Sequence, residues 1–416
     1  MKSRRASRPA RPAGVGLVPW TVAGAGPRAQ LLHDLMERVR AGAAAGGRSG
    51  FAGVLDHLLG AADPRLSSDE QTALWCWRAR GDEPLARFAR LYVLGQTLPR
   101  AAVAQLWGTD FDRAAARGLL VVRGTRVEAG LSLALHDGVP IFADPICATP
   151  GPEHVVGPTR ATHVLARALP RTPVAEALEL GTGAGSLALA LAGRAAQVTA
   201  TDVSARALGL AALNAALAGA RNLTFLRSDR FARLSGRRFD LIAGNLPFVV
   251  SPERRYGYRD SGLAEDGFVA SVVKEVGGHL VEGGFAVLLG QWVHREEEAE
   301  DERLAPWFVA AGCDALVLRL DAETIDTYAA RWSAGPRASV DLPERLREIE
   351  RWVLHLRRLR IHGLSTGLFV LRRRPAARHF MSIDEVSPSD PPPDWTEIAA
   401  RLAALDEQAA VSRARS

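Results

Sequence analysis

Several residue types are scarce in this chain, and each scarcity removes a class of function. The 416 residues include three cysteines, Cys76, Cys147 and Cys313. They stand so far apart that neither a disulfide framework nor a CxxC metal pair can be drawn. Buried or inert thiols in a reducing compartment are left, and the expected location is cytoplasmic. No apolar run reaches the ~18 residues needed to cross a bilayer, because Glu176 and Glu179 interrupt even the greasiest stretch, Val174 to Ala192, so no membrane role is expected. Lysine occurs only at Lys2 and Lys274 while arginine is abundant, a skew that fits G+C-rich coding. His154, His163, His279, His294, His355 and His362 show neither metal-ligand spacing nor a nucleophile partner, so no metal site is expected. With 47% hydrophobic and 24% charged residues, the composition is that of a soluble globular protein of two or three domains.

The net charge of +6 belongs to one end of the chain. Lys2, Arg4, Arg5, Arg8, Arg11 and Arg28 all precede the first acid, Asp34, and the remainder carries 46 basic and 46 acidic residues. The body is formally neutral. Residues 1–28 therefore read as a basic, Pro-rich, solvated tail, with phosphate contact as the alternative.

After that tail, Gln30 to Leu59, Pro84 to Leu94, Pro99 to Trp107 and Phe111 to Ala116 read as helical. The period then changes. Gly118 to Val122, a turn at Arg123-Gly124-Thr125, and Val127 to Leu135 read as a β-hairpin, followed by a short strand around Ile141. Helices followed by a small hairpin predict a winged-helix-like unit over residues 29–148, suited to presenting a substrate or touching nucleic acid.

From Val174 strands alternate with helices, which predicts a doubly wound, mostly parallel α/β sheet. The expected strands are Val174 to Leu180, Gln197 to Thr201, Leu223 to Leu226, Phe239 to Ala243, Phe285 to Leu289, Ala315 to Leu320 and Leu364 to Val370. A long helix from Pro343 to Ile361 joins the last pair, whose direction periodicity does not fix. This second domain is expected over residues 149–375. Residues 376–416 are expected to form a polar tail with a short helix from Trp395 to Leu405.

The sharpest motif is Glu179-Leu180-Gly181-Thr182-Gly183-Ala184-Gly185, directly after a strand and opening a helix at Ser186. Such glycines let the backbone approach a nucleotide-like ligand and turn tightly into the helix. Asp202 ends the next strand, placed to accept two ribose hydroxyl hydrogens, with Val203 after it. In a nicotinamide-binding fold the third glycine is expected where Ser186 stands. Here the glycines fall at every second position, and Glu179 suits a cationic amino-acid moiety better than a pyrophosphate. These details favour S-adenosylmethionine. The third strand ends at Ser228-Asp229-Arg230-Phe231, where a carboxylate can accept from an adenine amine. The fourth ends at Asn245-Leu246-Pro247-Phe248, on the edge where open α/β sheets bind ligands. An ordinary turn is the alternative.

On these residues, over about Val155 to Arg373, the chain resembles the class I S-adenosylmethionine-dependent methyltransferases, in the HemK-like branch with an Asn-Pro-Pro-Tyr-like motif. That branch methylates glutamine side-chain amides or exocyclic amines of nucleobases. The resemblance implies a seven-stranded Rossmann-like sheet in which Glu179, Gly181, Thr182, Gly183, Gly185, Asp202, Val203, Asp229, Arg230 and Asn245 hold the cofactor. It further implies that Asn245, Leu246, Pro247 and Phe248 receive the acceptor nitrogen. An amide or aromatic amine has a delocalised lone pair and is a weak nucleophile. The Asn245 side-chain oxygen and the Leu246 carbonyl can hold both N–H hydrogens, Pro247 stiffens the loop, and Phe248 offers a flat face. Catalysis then rests largely on proximity and orientation. Leu246 replaces the usual proline, so the tetrapeptide does not select glutamine over adenine.

Tyr258-Arg259-Asp260-Ser261-Gly262 and Leu289-Gly290-Gln291-Trp292 resemble segments of a bacterial HemK-like subgroup, with Arg259 and Asp260 either shaping the entrance or pinning a loop. Thr159 either lies beside the cofactor or caps a helix. The acceptor stays open between protein, RNA and small molecule, including a specialised metabolite or peptide. A nucleic-acid-binding regulator with a vestigial methyltransferase fold is a further alternative.

Overall fold

The computed structural model describes residues 26–43, 50–63, 65–145, 151–253, 259–260, 265–333, 341–375, 379–387 and 389–415. The basic tail to residue 25, Cys147, Tyr258, Ser261 and Gly262 lie outside them. No described helix is long and apolar enough to cross a membrane.

The front of the chain is helical. α1 (Gly26–Ala41) already includes residues 26–28, expected in the tail, because Pro27 suits the first turn of a helix. α2 (Gly50–Leu59) follows. α3 (Ser68–Arg78) was not expected from the sequence, although Ser67 and Glu70 form a reciprocal capping box at its start. α4 (Pro84–Phe88) runs into a π-turn over Ala89–Val93, and β1 (Leu98–Pro99) leads to α5 (Arg100–Trp107) and α6 (Phe111–Ala116).

The expected single strand from Val127 to Leu135 is two strands. β2 (Leu120–Arg123) pairs with β3 (Arg126–Ala129), which also pairs with β1, and the chain then breaks at Gly130. A Cβ at Gly130 would lie 2.0 Å from the Gly118 carbonyl oxygen, so the backbones touch there and the strand cannot continue straight. A second hairpin follows, β4 (Ser132–His136) with β5 (Val139–Ala143).

The second half is an eight-stranded sheet, one strand more than expected. Its strands are β6 (Val174–Leu180), β7 (Ala195–Asp202), β8 (Leu223–Arg227), β9 (Phe239–Asn245), β10 (Leu280–His294), β11 (Asp314–Thr324), β12 (Gly363–Arg372) and β13 (Met381–Glu385), in the order β13-β11-β12-β10-β9-β6-β7-β8. β8, β7, β6, β9 and β10 run parallel, and β12 lies antiparallel between β10 and β11. β13 pairs with β11 inside the expected polar tail. Its half-buried residues fit an edge strand, and a following helix, α14 (Trp395–Arg415), sets Trp395 edge-on against Phe285 at 5.0 Å.

The parallel strands are apolar on both faces and covered on both. On one face Ala177, Val198, Phe225 and Leu241 meet α7 (Arg160–Ala168), α8 (Ser186–Ala192) and α9 (Ala205–Leu217). On the other, Leu178, Ile242 and Leu288 meet α10 (Gly267–Val276) and α11 (Glu300–Ala311). The first of these cores is continuous with the front unit through Leu32, Leu35, Tyr92 and Phe142. A third cluster, with Val249, Val250, Tyr328 and Trp352, joins the loop after β9 to α12 (Ile325–Trp332) and α13 (Leu342–Arg358). Strand order reverses between β6 and β9, which puts a crevice beyond their carboxyl ends.

Candidate functional site

That crevice is a cleft of about 1230 Å3, bordered by the turns after β6, β7, β8 and β9, by α7, and by α12. Register brings the first and fourth turns together: Leu180 lies opposite Gly244, so Gly181 and Asn245 are neighbours. Beyond β6 the chain has φ of +72° at Gly181, +52° at Gly183 and +85° at Gly185, a conformation that side chains resist. The glycines differ in purpose. A Cβ at Gly183 would meet nothing within 4 Å, leaving bare backbone towards the cleft. A Cβ at Gly185 would stand 2.9 Å from Cα of Ala211, so Gly185 lets α8 and α9 approach closely. Of the expected cofactor contacts, Gly185 alone is not on the cleft wall.

Two carboxylates sit under this turn. Glu179 is buried, accepts a hydrogen bond from the Thr182 hydroxyl, and is pushed up to about 8, chiefly by burial. Asp202, which ends β7, accepts from the Gly183 N–H at 3.0 Å and the Ser204 N–H at 2.8 Å. Burial raises it as well, against the effect of those bonds. Val203 beside it is exposed and apolar. At the third turn the Ser228 hydroxyl donates to the Arg230 carbonyl and accepts from the Arg233 N–H, holding Arg230 at φ +45° with Asp229 on the rim. Thr159 lines the cleft, and its N–H donates to the Thr162 hydroxyl at the start of α7.

Asn245 closes β9. Its side-chain Oδ1 is buried and has no hydrogen-bond partner among the described residues. Leu246 donates its N–H to the Leu289 carbonyl at 3.1 Å and buries its side chain, and Pro247 and Phe248 after it line the cleft. The following residues are braced. Val249 N–H donates to the Arg259 carbonyl, and Val250 N–H to the Tyr328 hydroxyl, which donates in turn to Gln291, itself bonded to Thr366. Arg259 pairs with Asp260 at 2.9 Å and donates to the Trp332 carbonyl, so this pair lines the cleft and also pins its wall.

Trp332, Arg331 and Tyr328 were not singled out from the sequence. The Trp332 ring stands edge-on to Phe248 at 6.2 Å, and its Nε1 is buried without a partner among the described residues. A tryptophan on an amphipathic helix gives no spacing signal of its own. Asn214 on α9 was missed too. Fully buried, it accepts from the Phe142 N–H and donates to the carbonyls of Phe142 and Ala184, each at 2.8 Å, tying β5 to the glycine turn.

The donor set fits S-adenosylmethionine. Two carboxylates, Glu179 buried and Asp202 half-buried, both raised from their ordinary values by burial, suit a ligand that brings positive charge and hydroxyl donors. The unsatisfied Asn245 oxygen suits an N–H donor beside it.

Residues 157–266 match the methyltransferase small domain family, and residues 51–130 match a domain of unknown function, DUF7059. The chain is 32% identical over 189 residues to the release factor glutamine methyltransferase of Escherichia coli, covering 42% of this chain and 63% of that one. It is 34% identical over 216 residues to that of Deinococcus radiodurans, covering 49% of this chain and 73% of the relative. It is 35% identical over 152 residues to the ribosomal protein uL3 glutamine methyltransferase of Xanthomonas campestris pv. campestris, covering 29% and 49%. The chain thus spans less than two thirds of the first relative's length.

Proposed function

Since the chain belongs to the HemK-like family of class I methyltransferases, we propose that it methylates the side-chain amide nitrogen of a glutamine in a protein, with S-adenosylmethionine as donor. The observation that carries this reading is the buried, unpartnered Oδ1 of Asn245 at the carboxyl end of β9. The relatives named for glutamine methylation of a release factor and of ribosomal protein uL3 favour a protein acceptor over a nucleobase.

When bound, S-adenosylmethionine supplies an electrophilic methyl group on a sulfonium. Asp202 would hold the ribose hydroxyls, and Val203, Asp229 and Arg230 would hold the base. Glu179, with the turn at Gly181, Thr182 and Gly183, would hold the cationic amino-acid end. Asn245 Oδ1 and the Leu246 carbonyl would accept the two amide hydrogens and so orient the nitrogen lone pair into the cleft, with one of those hydrogens leaving to solvent as a proton when the nitrogen gains a methyl group. Phe248, backed edge-on by Trp332, bounds the planar amide. The unit over residues 29–148 selects the acceptor protein. None of these roles needs a protein nucleophile, and positioning the weakly nucleophilic amide contributes most of the rate.

The test is transfer of labelled methyl to release factors, ribosomal protein uL3 and total RNA from the native source, with mass spectrometry of the product. One extra methyl on a glutamine, absent with Asn245→Ala, is expected. Label confined to RNA or to small molecules overturns the acceptor assignment.

A further inference from the structure

Among the described residues, one group of three histidine or acidic side chains is close enough to hold a metal ion, and it lies where the tip of the β4–β5 hairpin meets α7. The hairpin turns through Asp137 and Gly138, with φ of +50° and +78°, between the paired residues His136 and Val139. This two-residue turn points the ends of His136 and Asp137 towards the helix. α7 gives Arg160, Ala161, Thr162, Val164 and Leu165 to the cleft wall and His163 to its opposite side. His163 Nδ1 lies 3.8 Å from the Asp137 carboxylate, and the His136 and His163 rings are 4.4 Å apart, tilted at 52°. One ligand atom from each of the three residues lies within 4.8 Å of the others.

His136 is the unusual member. It is 3% exposed, yet among the described residues neither ring nitrogen has a hydrogen-bond partner. A neutral imidazole carries one N–H and one lone pair, and burying either unpaired costs about 1–3 kcal/mol. A leucine or phenylalanine would fill the same space without that cost. The lone pair is satisfied if a cation sits between the rings, where a second imidazole and a carboxylate already converge.

We propose that His136, Asp137 and His163 bind one zinc ion, which clasps the β4–β5 hairpin to α7. Two nitrogens and one carboxylate oxygen suit Zn2+ and disfavour Mg2+ and Ca2+, which take oxygen ligands. Coordination at about 2.0–2.1 Å requires the ligand atoms to draw closer. The outer pair can supply that movement, because the His163 and Asp137 side chains are 45% and 72% exposed while His136 is fixed in the interior. Their exposure also leaves the fourth position to water. The ion would join the hairpin of the front unit to the helix bordering the cleft.

The test uses the full chain, freed of metal by chelation and carrying no polyhistidine tag, titrated with Zn2+ alone by calorimetry. Wild type is expected to bind one ion per chain and to melt higher with Zn2+ than with chelator. His163→Ala and Asp137→Asn alter exposed side chains and should keep the fold by circular dichroism. His163→Ala should lose at least tenfold in affinity together with the thermal shift, and Asp137→Asn should lose affinity too. Failure of wild type to bind saturably, or equal binding by wild type and both variants, overturns the site and leaves the two histidines merely stacked.

Discussion

On the proposed reading, Asn245 concentrates the chemistry of the cleft in one atom. A buried oxygen without a partner destabilises the resting protein, and an acceptor amide would relieve it. Asn245→Ala should therefore fold normally and bind cofactor nearly as well, yet turn over at least about a hundredfold more slowly, as when one preorganised polar group is removed from an active site. Single-turnover rates with the true acceptor, beside cofactor binding by calorimetry, check this. Wild-type turnover would mean that the tetrapeptide is only a turn. Glu179 gives a prediction in pH. Its carboxyl, pushed up to about 8, is mainly protonated at neutral pH in the free protein, whereas a cationic ligand prefers the carboxylate. Cofactor affinity should rise as pH increases towards 8, by up to about tenfold per unit, and level off above it, with a proton released on binding. Glu179→Gln should flatten the profile, and a pH-independent wild-type affinity would refute the linkage. The free protein has the opposite trend. A carboxyl whose value rises on folding lends stability that is full below its unfolded value near 4.5 and is lost as pH climbs to about 8.

At the scale of elements, the glycine turn separates packing from binding. Gly185→Ala forces a Cβ against the α9 backbone at φ +85°, an overpacking worth about 1–3 kcal/mol, and should lower the melting temperature. Gly183→Ala meets open space and bears only the left-handed backbone strain of about 1–2 kcal/mol, but places a methyl on the cleft wall. Melting curves and cofactor titrations should rank the two in opposite orders; the same order in both would mean that the turn acts as one unit. The motif was legible because a strand apolar on both faces, a run of alternating glycines and an acid after the next strand are all local patterns. For the same reason β6 and α6 were read to the residue. What was missed is non-local. The break at Gly130 depends on the Gly118 backbone, β13 depends on the free edge of β11, and Trp332 matters only because α12 packs on the loop after Asn245. His136 and His163 meet only when the hairpin and α7 do, so no spacing rule could pair them.

Taken as a whole molecule, the front unit and the sheet domain share one core, which sets what removal of the front unit should do. α1 and β5 both lie against α9, and Asn214, fully buried on that helix, satisfies the Phe142 backbone on one side and Ala184 of the glycine turn on the other. Asp144 after β5 adds an ion pair with Arg206 on α9 and accepts from the Val155 N–H. A chain beginning near Pro150 would expose the apolar side of α9 and leave Asn214 without two of its three partners. Such a chain should lose cofactor affinity along with acceptor selection, rather than keep the first and lose only the second. Asn214→Ala probes the same coupling without truncation. It leaves the N–H and carbonyl of Phe142 and the carbonyl of Ala184 buried and unpaired, at about 1–3 kcal/mol for each group left unsatisfied. Hydrogen exchange under mild denaturant is the measurement. In wild type the amides of β2 and β3 and those of β6 and β9 should open with one common free energy. In Asn214→Ala the front amides should exchange first, because the link that makes the two cores unfold together has gone. Separate opening already in wild type would show that the shared apolar surface does not make the units cooperative.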